Sequence, residues 1–171
     1  MIDNDETTPW TNTQFDYDRL FMNFAINISR FSKCVSHSVG AVLTRDNRVI
    51  SHGVNGTRPG EINCCERFPA YDKTTMRDAH RQWSEINEYH AEANAISFAL
   101  KQKQDIEGTT LYVTVAPCFN CCKNWIGLFG VTRVVYLKEY DQCGVDRVRD
   151  VLRASNCVLE KYDDLFSEQS E

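Results

Sequence analysis

Between Leu111 and Leu137 the chain reads LYVTVAPCFNCCKNWIGLFGVTRVVYL. Leu111–Val115 is a buried type of strand. Cys118–Phe129 follows as a short helix, closed by Gly130, a common residue just past a helix end. Val131–Leu137 is a second apolar strand. A strand, a helix and a strand joined by short links form a parallel pair with a right-handed crossover.

The same rhythm extends outward. Upstream, Ala91–Gln102 is an Ala- and Leu-rich helix. Downstream, Val145–Ala154 is a helix and Cys157–Lys161 a last short strand. Near the N-terminus, Tyr17, Leu20, Phe21, Phe24, Ile28 and Phe31 recur at amphipathic-helix spacing, predicting a helix over Gln14–Phe31. Val39–Leu43 and Val49–His52 flank a polar turn at 45–48 and predict a β-hairpin. Its strand ends in the turn-forming pair Asn55-Gly56. The hairpin makes the sheet mixed, so the expected fold class is α/β, in one domain spanning 1–171. Residues 57–89 break the rhythm with Pro59, Gly60, Pro69 and many charges. A stretch this long inside a compact domain is usually functional or held by something such as a metal, and Arg77–Glu88 within it has helical character.

Composition narrows the function. The chain has 171 residues, 42% apolar and 25% charged, with mean hydropathy −0.45 and a pI near 5.4. No stretch approaches the ~18–20 apolar residues of a membrane span. The acidic, polar start MIDNDETTPW has no basic and apolar leader pattern, so a cytoplasmic location is expected. A net charge of −5 argues against a nucleic-acid partner. Eight cysteines in such a chain point to metal or catalysis more than to disulfides.

Two cysteines fall at a decisive spacing. His90-Ala91-Glu92 opens one predicted helix and Pro117-Cys118-Phe119-Asn120-Cys121 opens the next. Together they match H-x-E…P-C-x-x-C, the recognised signature of zinc-dependent nucleobase deaminases. The chemistry fits. Cys118 and Cys121, three residues apart, share one face of a helical turn. Pro117 suits the first helical position, and a helix N-terminus favours thiolate over thiol. His90 supplies a third ligand and leaves a fourth position for water, the mark of a catalytic zinc. Glu92 is close to the metal without being needed as a ligand. Its role is proton transfer: from water, then to the ring nitrogen and the departing ammonia. A structural zinc knuckle has no use for that carboxylate, which separates a deaminase from a non-catalytic zinc module.

The sequence resembles the deoxycytidylate (dCMP) deaminases of the cytidine deaminase-like superfamily, the phage type in particular. The resemblance rests on His90-Ala91-Glu92-Ala93-Asn94-Ala95-Ile96 and on Tyr112 to Cys121. It also rests on Ser32-Lys33-Cys34, on Val39 to Val42, and on Gly53 to Pro59. It spans about Ala25 to Cys157. Val54 departs from it, where a tyrosine is common. The insert, with Asn63 to Glu66 and His80 to Trp83, is similar to the phage enzymes.

The resemblance implies a three-layer αβα sandwich with a mixed five-stranded sheet. It implies hydrolysis of dCMP to dUMP and ammonia, supplying thymidylate synthesis, in a homo-hexamer. The implied effectors are dCTP as activator and dTTP as inhibitor, with Mg²⁺. It places the sugar on Asn55, the 5′-phosphate on Ser32 and Lys33, the base beside Tyr140, and effector contacts at Arg58 and Lys101. For a phage-encoded chain the location is the host cytoplasm. A deaminase of another cytosine nucleotide, a nucleoside or a polynucleotide is the alternative.

The resemblance also implies a second, structural zinc on Cys34, Cys64, His80 and Glu88, two per chain in all, holding the insert. Cys65 is the alternative to Cys64. Cys122 points about 100° away from Cys121 on a helix and reads as a packed thiol. Cys143 and Cys157 receive no role, and His37 and His52 are expected to satisfy local hydrogen bonds.

Overall fold

The computed structural model describes residues 12–139 and 144–163. Helix α1 (Gln14–Ser29) starts at a capping box, in which Thr13 and Asp16 satisfy each other's backbone N–H groups. It stops before Phe31. The N–H groups of Phe31 and Ser32 bond to residues three back, at Ile28 and Ser29, which tightens the last turn and leaves Phe31 exposed.

Strands β1 (Gly40–Arg45) and β2 (Arg48–Val54) form the predicted hairpin. Asp46 and Asn47 both have positive φ (49° and 57°), as a two-residue turn between twisted strands requires. The predicted irregular stretch holds two helices, α2 (Cys64–Arg67) and α3 (Arg77–Asn87). Its ends are tied by paired backbone bonds between Gly56 and Tyr89, 3.1 and 2.8 Å.

Helix α4 (Ala91–Lys101) and β3 (Thr110–Val115) come next. The helix expected over Cys118–Phe129 is regular only for α5 (Phe119–Cys121). The chain then widens into a π-helical turn, Cys122–Ile126, in which the Gly127 N–H reaches Cys122 O. This turn buries Cys122 and Ile126 together against α4 and α6. β4 (Arg133–Lys138), α6 (Val145–Ala154) and β5 (Val158–Lys161) complete the chain. Val131 and Cys157 lie just outside the strands expected to contain them. Their N–H groups are used to close the preceding turns, on Ile126 O and Leu152 O.

The sheet order is β2-β1-β3-β4-β5. β1 pairs antiparallel with β2 and β3, while β3–β4 and β4–β5 are parallel. Alternate strand residues feed opposite faces. Leu43, Leu111, Val113 and Val134 pack with Ala91, Ala95 and Ala99 of α4 and Leu152 of α6. Val42, Tyr112 and Val135 pack with Phe21, Met22 and Ala25 of α1. Helices on both faces give the three-layer αβα sandwich.

Two glycines set the layer spacing. A Cβ at Gly40 would meet Ala25 O in α1, and one at Gly53 would meet Ala91 O and Ala95 N in α4. Under the α1 face, buried Asp18 accepts two bonds from Arg133 (2.7 and 2.8 Å), one from the Tyr112 hydroxyl (2.6 Å) and one from Gln14 (2.9 Å). Among the described residues no helix is long and apolar enough to cross a membrane.

Candidate active site

The start of α4 and the start of α5 meet beside the sheet. His90 is the N-cap of α4, and Glu92 lies in its first turn. Cys118 is the N-cap of α5, and Cys121 ends it. Pro117 therefore precedes the cap rather than occupying the first helical position. The cap itself is the thiol: Cys118 Sγ accepts from the Cys121 N–H at 3.5 Å.

His90 Nδ1 lies 3.4 Å from Cys118 Sγ and 3.3 Å from Cys121 Sγ. All three donor atoms are within 4.8 Å of one another. One imidazole and two thiols match the donor chemistry of zinc, with one coordination position to spare. The hydrogen bond from Cys121, and then that from His90, hold the Cys118 thiol down at about 4. The Cys118 bond in turn pushes His90 up to about 9, so it holds a proton that a metal bound there would displace. One thiolate is thus already favoured by the fold.

Glu92 is 4% exposed, and its burial pushes the carboxyl above the usual carboxylate range. A carboxyl raised in this way holds a proton more readily than a free one, which suits a group that must accept a proton and give it back. It lines a cavity of about 110 Å³ together with His90 and Cys118. Val39, Ala91, Val115 and Ala116 give that cavity apolar walls, which suits a planar ring.

Asn55 also lines this cavity. Its Oδ1 accepts from the Val39 N–H and its Nδ2 donates to His37 O, both at 2.8 Å. One N–H and one lone pair of the amide remain for a ligand. Asn94 does related work from behind: its Nδ2 donates to Val54 O at 2.7 Å and locks the end of β2 to α4.

The second set of donors also converges. Ligand atoms of Cys34, Cys64, His80 and Glu88 lie within 4.8 Å of one another. Cys34 Sγ is 3.5 Å from His80 Nε2. Cys64 opens α2, and its Sγ accepts from the Val35 N–H at 3.5 Å. His80 is on α3, and Glu88 is its C-cap, two residues before His90. Cys65 is exposed and stands outside the group.

Burial pushes Cys64 up to about 12 and moves Cys34 and Glu88 in the same direction, so thiolates here need a counter-charge. Glu88 Oε1 is buried and has no hydrogen-bond partner. His80 is kept neutral by burial, the form that ligates metal. A cation answers all of these, and four ligands close the site.

The other predicted residues are placed differently. The Ser32 hydroxyl donates to Asn55 O and accepts from the Cys34 N–H, both at 3.2 Å, so it is spent on the loop. Lys33 is exposed, with its charge beside Glu66. Neither lines the cavity. Arg58 pairs with Glu61 at 3.5 Å and lies over the Tyr89 ring, while Lys101 ends α4; both are away from the cavity. Tyr140 lies outside the described residues, as does Cys143. His52 packs edge-on to Phe24, and Cys122 is buried in the core.

Two cavity residues escaped the sequence reading, His37 and Ser84. The sequence reading gives His37 only local hydrogen bonding, and its backbone carbonyl does accept from Asn55 Nδ2. Its place between Cys34 and the strand at Val39 is the signal that marks it. Ser84 shares a face of α3 with His80, four residues back.

The profile of the cytidine and deoxycytidylate deaminase zinc-binding region matches residues 16–138. The deoxycytidylate deaminase of Enterobacteria phage T4 is 36% identical over 150 residues, covering 71% of this chain and 77% of that one. That of Mycobacterium phage D29 is 36% identical over 126 residues, covering 72% and 96%. The crystal structure of dCMP deaminase from cyanophage S-TIM5 in complex with dCMP and dUMP superposes with a TM-score of 0.69. It is 29% identical and covers 88% of this chain and 98% of the other.

Proposed function

Because this chain belongs to the cytidine and deoxycytidylate deaminase family and is a hydrolytic deaminase, we propose that its substrate is dCMP. Water is added and ammonia released, giving dUMP. The observation that carries the reading is Glu92, buried in the first turn of α4 beside His90 and facing the same cavity as Cys118. The T4, D29 and S-TIM5 relatives bear the dCMP deaminase name, and the last is described with dCMP and dUMP bound.

His90, Cys118 and Cys121 hold zinc in this reading. Bound there, zinc supplies a Lewis acid that makes water nucleophilic near neutral pH. The chain's own groups do the rest. The apolar walls exclude bulk water and sandwich the ring. Asn55 offers its remaining amide N–H and lone pair to the sugar. Glu92 takes one proton from the attacking water and passes it to the ring nitrogen, then takes the proton left on the added hydroxyl and passes it to the amino group, so that ammonia leaves as the C–N bond breaks and the C=O forms. Cys34, Cys64, His80 and Glu88 hold a second zinc that fixes the insert, giving two per chain.

The reading extends to assembly and control. A homo-hexamer is supported by the large apolar side chains Phe31, Ile86 and Leu128, 77, 80 and 69% exposed. Activation by dCTP and inhibition by dTTP with Mg²⁺, through Arg58 and Lys101, rest on the family resemblance alone, as does a role in dUMP supply. The test is ammonia release from dCMP, deoxycytidine, dCTP and a short single-stranded oligonucleotide, measured side by side. Preference for dCMP is expected. Equal turnover of deoxycytidine, or preference for the oligonucleotide, overturns the substrate assignment.

A further inference from the structure

A nucleotide substrate brings a dianionic phosphate, and among the described residues the catalytic cavity carries no lysine or arginine on its walls. Lys33, expected to meet that charge, is exposed beside Glu66 and does not line the cavity. A second cavity, about 280 Å³, adjoins the first, and His37, His80, Ser84 and Val115 line both. Its outer wall is basic: Lys73, Arg77 and Arg81 come from the insert and Lys138 from the end of β4. Among the described residues the carboxylate on that wall is Glu139, which is paired with Lys161 at 3.4 Å.

Helix α3 orders this wall. Arg77, Arg81 and Ser84 recur at i, i+4 and i+7, so one helical face runs from the basic groove to the catalytic cavity. His80 sits on the same face and joins the Cys34, Cys64 and Glu88 donors. Arg81 has a contact to Glu85 at 3.9 Å, but both are more than half exposed, and such a pair is weak competition for phosphate. Arg77, Lys73 and Lys138 make no ion pair among the described residues. Guanidinium forks match phosphate oxygens two at a time, and the lysines add point charge.

We propose that this groove receives the 5′-phosphate of the substrate, with Arg77 and Arg81 as the main contacts and Lys73 and Lys138 in support. The proposal rests on the dCMP reading. It gives the insert a purpose: the second donor cluster fixes the helix that presents the phosphate site. The shared chemistry is a nucleotide phosphate, and commitment to the substrate's own follows from the four residues that line both cavities.

The experiment compares kcat/KM for dCMP and for deoxycytidine in the wild type, Arg77→Gln and Arg81→Gln, with melting temperatures as a fold check. Each variant should lose about 10–100-fold on dCMP, the worth of a charge-assisted hydrogen bond, and change less than about twofold on deoxycytidine. Arg81→Lys should recover part of the loss. Inorganic phosphate should inhibit deoxycytidine turnover in the wild type, and less in both variants. An equal fall on both substrates, or dCMP turnover left intact, overturns the proposal. So does loss of the response to added dCTP with the dCMP-to-deoxycytidine ratio unchanged, which would assign the groove to an effector. If the wild type itself shows no preference for dCMP, the substrate reading has failed, a result distinct from a preference that survives both substitutions.

Discussion

Two sets of metal donors stand within a few residues of each other and are built on opposite plans. His90, Cys118 and Cys121 sit on helix starts braced by the sheet, and one of the three, His90, is exposed. Cys34, Cys64, His80 and Glu88 come from a loop, two short-range helices and a helix end, none of them exposed. The first set has an unused coordination position and a buried acid beside it. The second has neither. Openness to water on a rigid mount is what chemistry needs, while closure around a loose segment is what a staple needs. Joining them is the short run from Glu88 to His90, so a metal held by the second set would fix the approach to the helix that carries the first.

The sharpest way to break this contrast is Glu92→Gln. If the carboxylate moves protons and does not hold metal, turnover of dCMP should fall by about 10⁴-fold or more, the upper end of general acid–base effects. Zinc content, read by elemental analysis, should not change. A variant that keeps near-normal kcat would remove the distinction between the two sets.

Next in size is Gly53→Ala. It leaves every donor in place but drives a methyl group into Ala91 O and Ala95 N, the backbone that carries His90 and Glu92. An ångström of displacement at a reacting group can cost about 100-fold, and a loss of that order in kcat is expected. Overpacking should also lower stability by about 1–3 kcal/mol, seen in denaturant melts. Activity at wild-type level would show that the mount is less rigid than the contrast requires.

His80→Ala probes the staple. Zinc should drop from about two ions per chain to about one, since the remaining donors no longer close a tetrahedral shell. Limited proteolysis should then cut within 57–89, and the melting temperature should fall. Turnover should drop only about tenfold, through the position of His90, well short of the loss on removing the carboxylate. Two zinc ions retained, with an unchanged protease pattern, would mean that the insert is held in another way.

Legibility in the sequence follows the same divide. The mounted site could be read because its donors are local: His90 and Glu92 on one turn, Cys118 and Cys121 on another, each after a strand or helix boundary with a period of its own. The strand–helix–strand rhythm gave the parallel half of the sheet and the Asp46-Asn47 turn its hairpin. What the residues alone left open was long-range. Cys34 and His80 are 46 residues apart, and nothing in local spacing says that they meet or that Cys64, not Cys65, faces inward. The π-helical turn at Cys122–Ile126 was missed because it differs from an α-helix by one hydrogen-bond step. The phosphate assignment to Ser32 and Lys33 came from a motif, whereas the hydroxyl is consumed by Asn55 O and Cys34 N–H.

The smallest expected effect on turnover comes from the far side of the sheet, at Asp18. Burial by itself would raise this carboxyl. The bonds from Arg133, Tyr112 and Gln14 outweigh it, and the net direction is down. A carboxyl held below its unfolded value, about 3.9, adds stability that is fully present above that value and is lost as pH falls through the folded one. Acid melts of the wild type should therefore weaken below about pH 4, and Asp18→Asn should flatten that part of the profile. The substitution should cost about 1.5–3 kcal/mol at neutral pH, the range for charged hydrogen bonds, because Arg133 keeps Glu160 at 2.6 Å. The kcat should stay within about twofold, because Asp18 is on the α1 face of the sheet and the α4 helix that carries Glu92 packs on the other. A large fall in kcat with zinc retained would mean that the two faces of the sheet are coupled, and that the reactive site leans on more than its own helix starts.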